Sequence, residues 1–136
     1  MAYIGCDVVQ WTAKHSELGT FTFYPKAGEN AQIDVGGYST ESDDKGVTGA
    51  GESVYKIGNR RWVVELPPIA WKRKGSSTLA DLDSLNQSFE EIDCTFTLAD
   101  GTIYVGRGRI VDAIKGATYD ATIPVKLEGG GKLRQL

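Results

Sequence analysis

A single histidine, His15, limits the chemistry open to this 136-residue chain. One imidazole excludes a multi-histidine metal site. Flanked by Lys14 and close to Glu17, it reads as a surface residue and not as the base of a nucleophile pair. Cys6 and Cys94 lie far apart, Cys94 within an alternating apolar stretch, so both read as reduced thiols suited to a reducing cytoplasm. Glu41, Asp43 and Asp44 offer oxygen ligands, but they lack the spacing and terminal glutamate of a calcium loop and read as a solvated acidic segment. Gly106, Arg107 and Gly108 hint at a phosphate cradle, which requires a strand-to-helix turn, whereas these glycines fall inside a predicted strand. Glu90, Glu91 and Asp93 straddle a predicted helix end and strand start, where polar side chains face water. No set assembles a catalytic constellation. The expectation is a chain that is not an enzyme and takes no cofactor or metal.

The length suits one domain over 1–136, large enough to bury a core without disulfides. Eighteen acidic against 15 basic residues give a net charge of −3, and the basic groups come in short clusters. That balance argues against a dedicated phosphate-gripping surface. The N-terminus lacks the basic start and apolar run of a secretory signal, and no stretch is long enough to span a bilayer. A chain soluble where it is made, with no membrane partner, is therefore expected.

Residues 1–30 show no clean period and read as an N-terminal arm, with a helix-compatible stretch around 11–18 and a short aromatic strand at 21–24 stopped by Pro25. A strand over 31–38, with Ala31, Ile33 and Val35 on one face, is interrupted by Gly36 and Gly37. Residues 39–53 (STESDDKGVTGAGES) have almost nothing to bury and read as a long polar loop, of the kind that is usually disordered or functional. Strand character returns over 54–66, with Arg60, Trp62, Val64 and Leu66 on one face, and Pro67 and Pro68 end it. The spacing predicts a helix over 78–90, capped by Ser77 or Thr78, with Asp81 in its first turn and Leu79, Leu82, Leu85 and Phe89 in one stripe.

From Ile92 to Gly131 the pattern is three long alternating strands ending in Gly129, Gly130 and Gly131. Ile92, Cys94, Phe96 and Leu98 alternate with Asp93, Thr95 and Thr97. Asp100 and Gly101 mark a hairpin turn. The returning strand, 102–114, carries Gly106 and Gly108, which suggest a bulge or a close backbone approach. The last strand places Tyr119, Ala121, Ile123, Val125 and Leu127 inward, opposite Thr118, Asp120, Thr122, Lys126 and Glu128. Trp11, Trp62, Trp71, Phe21 and Phe23 are expected mostly in the core. The fold class is mainly β (α+β), an antiparallel sandwich or partly open barrel with one flanking helix.

This order of elements is a Gly-interrupted strand (DVGGYST), a polar loop, a strand, a leucine-lined helix (TLADLDSLNQSFEE), a hairpin (CTFTLADGTIYVGRGRIVD) and a last strand running into LEGGGKL. Over 32–133 it resembles bacteriophage tail tube proteins, in particular those of contractile-tailed phages related to phage Mu. The arm through Gly28 departs from the shorter starts of that family. The resemblance implies a virion protein made in the host cytoplasm, forming stacked hexameric rings around a lumen through which double-stranded DNA passes without specific binding. It also implies tail sheath and tail-completion or baseplate proteins as partners. By position, Thr40, Glu41, Asp43, Asp44, Lys45, Val47 and Glu52 would belong to a loop reaching the next ring, ordered on assembly. Thr95, Thr97, Arg107, Arg109, Thr118, Asp120 and Thr122 would face the lumen or pair with neighbouring strands. Gly129, Gly130 and Gly131 would turn residues 132–136 towards a neighbour. Two alternatives stand beside it: the inner tube of a contractile injection or secretion machine, and a monomeric ligand-binding barrel related to lipocalins.

Overall fold

Alternation of apolar and polar residues, and the places where it breaks, sets the architecture. The computed structural model describes residues 2–75 and 77–136. Its elements, in chain order, are β1 (Val8–His15), β2 (Gly19–Phe23), β3 (Gln32–Asp34), β4 (Gly37–Glu41), β5 (Lys56–Arg60), β6 (Trp62–Glu65) and β7 (Ile69–Ala70). The helix α1 (Thr78–Gln87) follows, then β8 (Ile92–Leu98), β9 (Ile103–Val111), β10 (Thr122–Ile123), β11 (Lys126–Gly129) and β12 (Arg134–Gln135). The main sheet runs in the order β2-β1-β8-β9-β11-β6-β3, with β12 added on β9. β7 with β10, and β4 with β5, form two smaller antiparallel sheets. The fold is mainly β with one helix, as expected, and the main sheet is not closed into a barrel.

One face of the main sheet is the core. Trp11, Ala13, Phe23, Trp62, Val64, Cys94, Phe96, Ile110 and Leu127 are buried there, joined by Leu66, Ile69, Leu82, Leu85, Ile123 and Val125 from the covering segments. Trp11 packs on Phe23 at 4.8 Å between ring centroids, and Trp62 meets Phe96 edge-on at 6.2 Å. Such aromatic pairs combine a large apolar area with a fixed geometry.

β8, β9 and β11 form the expected meander. The β8–β9 turn is closed by the Leu98 amide donating to the Thr102 carbonyl at 2.9 Å, with Gly101 at φ +91°. This is the positive φ that the Asp-Gly signal calls for. The two glycines of β9 serve close approach: a Cβ at Gly108 would collide with the Glu128 carbonyl, and one at Gly106 would lie 2.6 Å from Leu133.

The structure corrects the sequence reading in several places. Residues 8–23 are not an arm: β1 lies between β2 and β8, with Trp11 fully buried. A register shift between Val8 and Gln10 brings Val8 and Trp11 inward three residues apart, which hides the two-residue period. The strand expected over 31–38 is split at Gly36, which has φ +74° and is so close to β6 that a Cβ would lie 2.6 Å from the Trp62 amide nitrogen. The helix ends at Gln87, and extended backbone at Ser88 carries Phe89 off the leucine stripe to 98 % exposure. The last strand is also broken. Residues 117–121 turn back on themselves through the Ala117 to Thr122 bridge, so Tyr119 is exposed and Ala121 adopts φ +54°. Pro124, which has no amide to donate, separates β10 from β11. Finally, the C-terminal residues dock within the chain: Lys132 bridges Gly36, Leu133 is buried and donates to the Val35 carbonyl, and β12 pairs with β9.

His15 is likewise buried and not on the surface. Its Nδ1 accepts from the amides of Glu17 and Leu18, both at 3.0 Å, so the proton sits on Nε2 and is donated to the Ser88 Oγ at 2.7 Å. The imidazole therefore shapes the β1–β2 turn and ties it to the helix end. Cys94 is buried and Cys6 exposed, and neither forms a disulfide.

Candidate functional site

The segment with least to bury becomes part of an exposed hairpin. β4 and β5 pair over five residues, from Gly37 opposite Arg60 to Glu41 opposite Lys56, and every residue of β5 is exposed. Thr40 and Glu41 therefore belong to a strand, and the region expected as a polar loop is the outer half of a hairpin. Asp43, Asp44, Lys45, Val47 and Glu52 form its tip. Local bonds shape that tip: the Lys45 amide donates to the Asp43 carboxylate at 3.0 Å, the Thr48 amide to the Glu52 carbonyl at 2.7 Å, and Val47 bridges Ser53.

The hairpin is not polar throughout. Tyr38 and Ile57 lie on one face, 79 % and 63 % exposed, and Val47, Val54 and Tyr55 are exposed beyond the ladder. Sequence reading singled out Val47 but missed Tyr38, Val54, Tyr55 and Ile57, because they lie at the flanks of the polar run, inside stretches taken as ordinary strands. A two-stranded ribbon alone in water is marginal. Exposed aromatic and branched side chains on such a ribbon are suited to burial against another surface.

The root of the hairpin is firmly held. Arg60 grips Asp34 with two guanidinium nitrogens, at 2.6 and 3.3 Å, and the Gly36 amide donates to the same carboxylate at 3.0 Å. The Arg60 bond, then the Gly36 amide, hold the Asp34 carboxyl below its ordinary range. The C-terminal strap fixes the other side, with Lys132 against Gly36 and Gly37.

The outer face of the main sheet is the second feature. Register places Gln10, Thr12 and Lys14 of β1 beside Thr97, Thr95 and Asp93 of β8, and these beside Ile103, Val105 and Arg107 of β9. Thr20 and Thr22 of the β2 edge continue the face. Thr95, Thr97 and Arg107 are thus brought together. Arg109 is not free, because it donates to the Asn86 carbonyl in the last turn of α1 at 3.2 Å. Thr118 and Asp120 sit in the exposed 117–121 turn, where the Thr118 carbonyl accepts from Arg73, and Thr122 pairs with Ala70 in the small sheet. The expected lumen set is therefore three separate groups.

No protein-family model matches this chain, and no curated protein matches it.

Proposed function

We propose that this chain is a structural subunit of a bacteriophage tail tube, which assembles into hexameric rings that stack around a channel for DNA. The observation that carries this reading is the β4–β5 hairpin, a ribbon anchored at its root whose Tyr38, Tyr55 and Ile57 are left exposed by the described residues of its own chain. A hairpin of this kind is suited to reach from one ring to the next. The two-faced sheet supports the same reading: an apolar face packs the core, while Thr12, Thr22 and Thr97 offer an uncharged stretch of the opposite face along which a polyanion can slide, because neutral hydroxyls give no strong grip on phosphate. The open edges, β2 and β3, are completed by neighbouring subunits in such a ring. Tail sheath and tail-completion or baseplate proteins are its partners, and the virion is its final location.

The test is negative-stain electron microscopy of the purified protein together with sedimentation velocity over a range of concentrations. Rings with a central hole, or tubes built from them, are expected. A chain that remains monomeric at every concentration and shows neither form would overturn the reading.

A further inference from the structure

Charge is distributed unevenly along the hairpin. Its outer end carries the carboxylates of Glu41, Asp43, Asp44 and Glu52 against the amines of Lys45 and Lys56, with Lys56 at 3.9 Å from Asp43. Its root adjoins a groove of the opposite sign. There, between the β8–β9 face and the C-terminal strap, Arg107, Lys132 and Arg134 surround a cavity of about 540 Å³ that also receives Asp93 and has Val105 and Leu136 in its walls. Among the described residues none of these three cations lies within salt-bridge distance of a carboxylate. The strap itself holds two of them in place: Leu133 is buried between Lys132 and Arg134, and Arg134 is fixed opposite Val105 by the β12 ladder. Three cations against the one carboxylate of Asp93 leave the groove net positive, and an anionic occupant offsets that charge.

We propose that the acidic hairpin tip of one copy docks in this basic groove of a second copy. The inference rests on the self-assembly reading above and names its contact. Two observations favour a second copy over the phosphate backbone of a nucleic acid. The tip offers Val47 and Val54, exposed, to a groove with the apolar walls Val105 and Leu136, and a sugar-phosphate chain has no matching use for them. The complementary surfaces also lie at opposite ends of one arm, its tip and its root. A tip-to-root contact is heterologous, so each copy that docks presents a fresh tip, and the contact propagates as stacking requires.

Reciprocal charge reversal tests this. One variant carries Lys132→Glu and Arg134→Glu, the other Asp43→Lys and Asp44→Lys. All four positions are exposed, and circular dichroism verifies that each variant folds. If either reversal fails to fold, Lys132→Gln with Arg134→Gln, and Asp43→Asn with Asp44→Asn, take its place, and weakened assembly by each neutral variant alone is the expected result. Each reversed variant alone should need at least about tenfold higher concentration to assemble, because like charges then meet at the contact. An equimolar mixture of the two reversed variants should assemble as the parent does, since every tip then finds a groove of opposite sign. Parent assembly should also weaken with added salt.

Assembly of the groove variant at the parent concentration would overturn the proposal while leaving the tail tube reading intact. So would a mixture that fails to recover. Fluorescence anisotropy with a short DNA duplex supplies the remaining arm: if the groove variant loses duplex binding but assembles normally, the groove takes phosphate and the proposal falls. A parent protein that never assembles removes the tail tube reading, and this inference with it.

Discussion

Gly129 lies so close to the Trp62 indole that a Cβ at this position would come within 2.5 Å of Nε1. The glycine belongs to β11 directly opposite Trp62 on β6, and it is buried. The first glycine of the run that ends the meander therefore makes room for both the Trp62 indole and the Arg107 carbonyl, and Gly131, at φ +74°, makes the turn into the strap.

Gly129→Ala should destabilise the fold by about 1–3 kcal/mol, the usual range for overpacking. Gly108→Ala should cost a similar amount, since a Cβ at either position would meet a backbone carbonyl, that of Glu128 for Gly108 and that of Arg107 for Gly129, which cannot rotate away as a side chain can. Gly130 has open space around it and no positive φ, so Gly130→Ala should be nearly neutral. Urea denaturation of the three variants checks the order. Equal losses at Gly129 and Gly130 would remove the steric account.

His15→Ala removes an acceptor for two turn amides and a donor to Ser88 inside the protein, and should cost about 1–3 kcal/mol. His15→Asn places a carbonyl oxygen near the position of Nδ1 and should recover part of that loss, while His15→Phe should not. Denaturation midpoints of the three variants decide between a hydrogen-bonding and a space-filling role. Equal stability of the Asn and Phe variants would favour the latter.

Phe89, in the turn after the helix, and Phe96, inside β8, should respond in opposite ways. Phe96 is fully buried against Trp62, so Phe96→Ala should cost about 3–5 kcal/mol. Phe89 is 98 % exposed, and Phe89→Ala should fall within about ±0.5 kcal/mol. Thermal or urea unfolding of both gives the comparison.

The difference between these two residues shows where sequence patterning carries information. β8 was legible because a strict two-residue alternation runs from Ile92 to Phe96 and an Asp-Gly turn ends it. The helix cap at Ser77 was legible for the same local reason: its Oγ accepts from the Ala80 amide. The helix end was not, because Phe89 completes the apolar period while the actual stop is set at Ser88, whose hydroxyl is engaged by His15 from 73 residues away. β1 was obscured by its bulge and by an inward histidine that breaks the apolar alternation. The acidic tip was visible in composition. The basic groove was not, since Arg107 and Arg134 approach only when the C-terminal strap folds back on β9.

Removal of the tip should separate folding from assembly. Deleting residues 47–52 takes out only exposed side chains and the small turn around Thr48 and Gly51, and leaves the β4–β5 ladder and the Asp34 to Arg60 clamp untouched. The shortened chain should keep its circular dichroism spectrum and unfold with a midpoint close to that of the parent, yet form no tubes under the microscope. Global unfolding would mean that the tip supports the core. Normal tubes would mean that the tip is not a contact.

The cysteines should report burial through their reactivity and through alkaline stability. Burial pushes the Cys94 thiol up to about 12 from an ordinary 9.0, with the Trp11 side chain opposing the shift and Asp93 adding to it. A maleimide at neutral pH should therefore label exposed Cys6 in the native protein and reach Cys94 only after denaturant is added, because the thiolate is the reacting form. The same shift fixes the sign of the pH dependence. In the folded state Cys94 holds its proton to higher pH than in the unfolded chain, so its contribution is fully present below pH 9.0 and is lost as the pH rises towards about 12. Cys94→Ala removes this group, and across that window its stability should fall less steeply with pH than that of the parent. Parallel slopes for the two proteins, measured by urea unfolding at a series of alkaline pH values, would show that Cys94 is not the group that titrates.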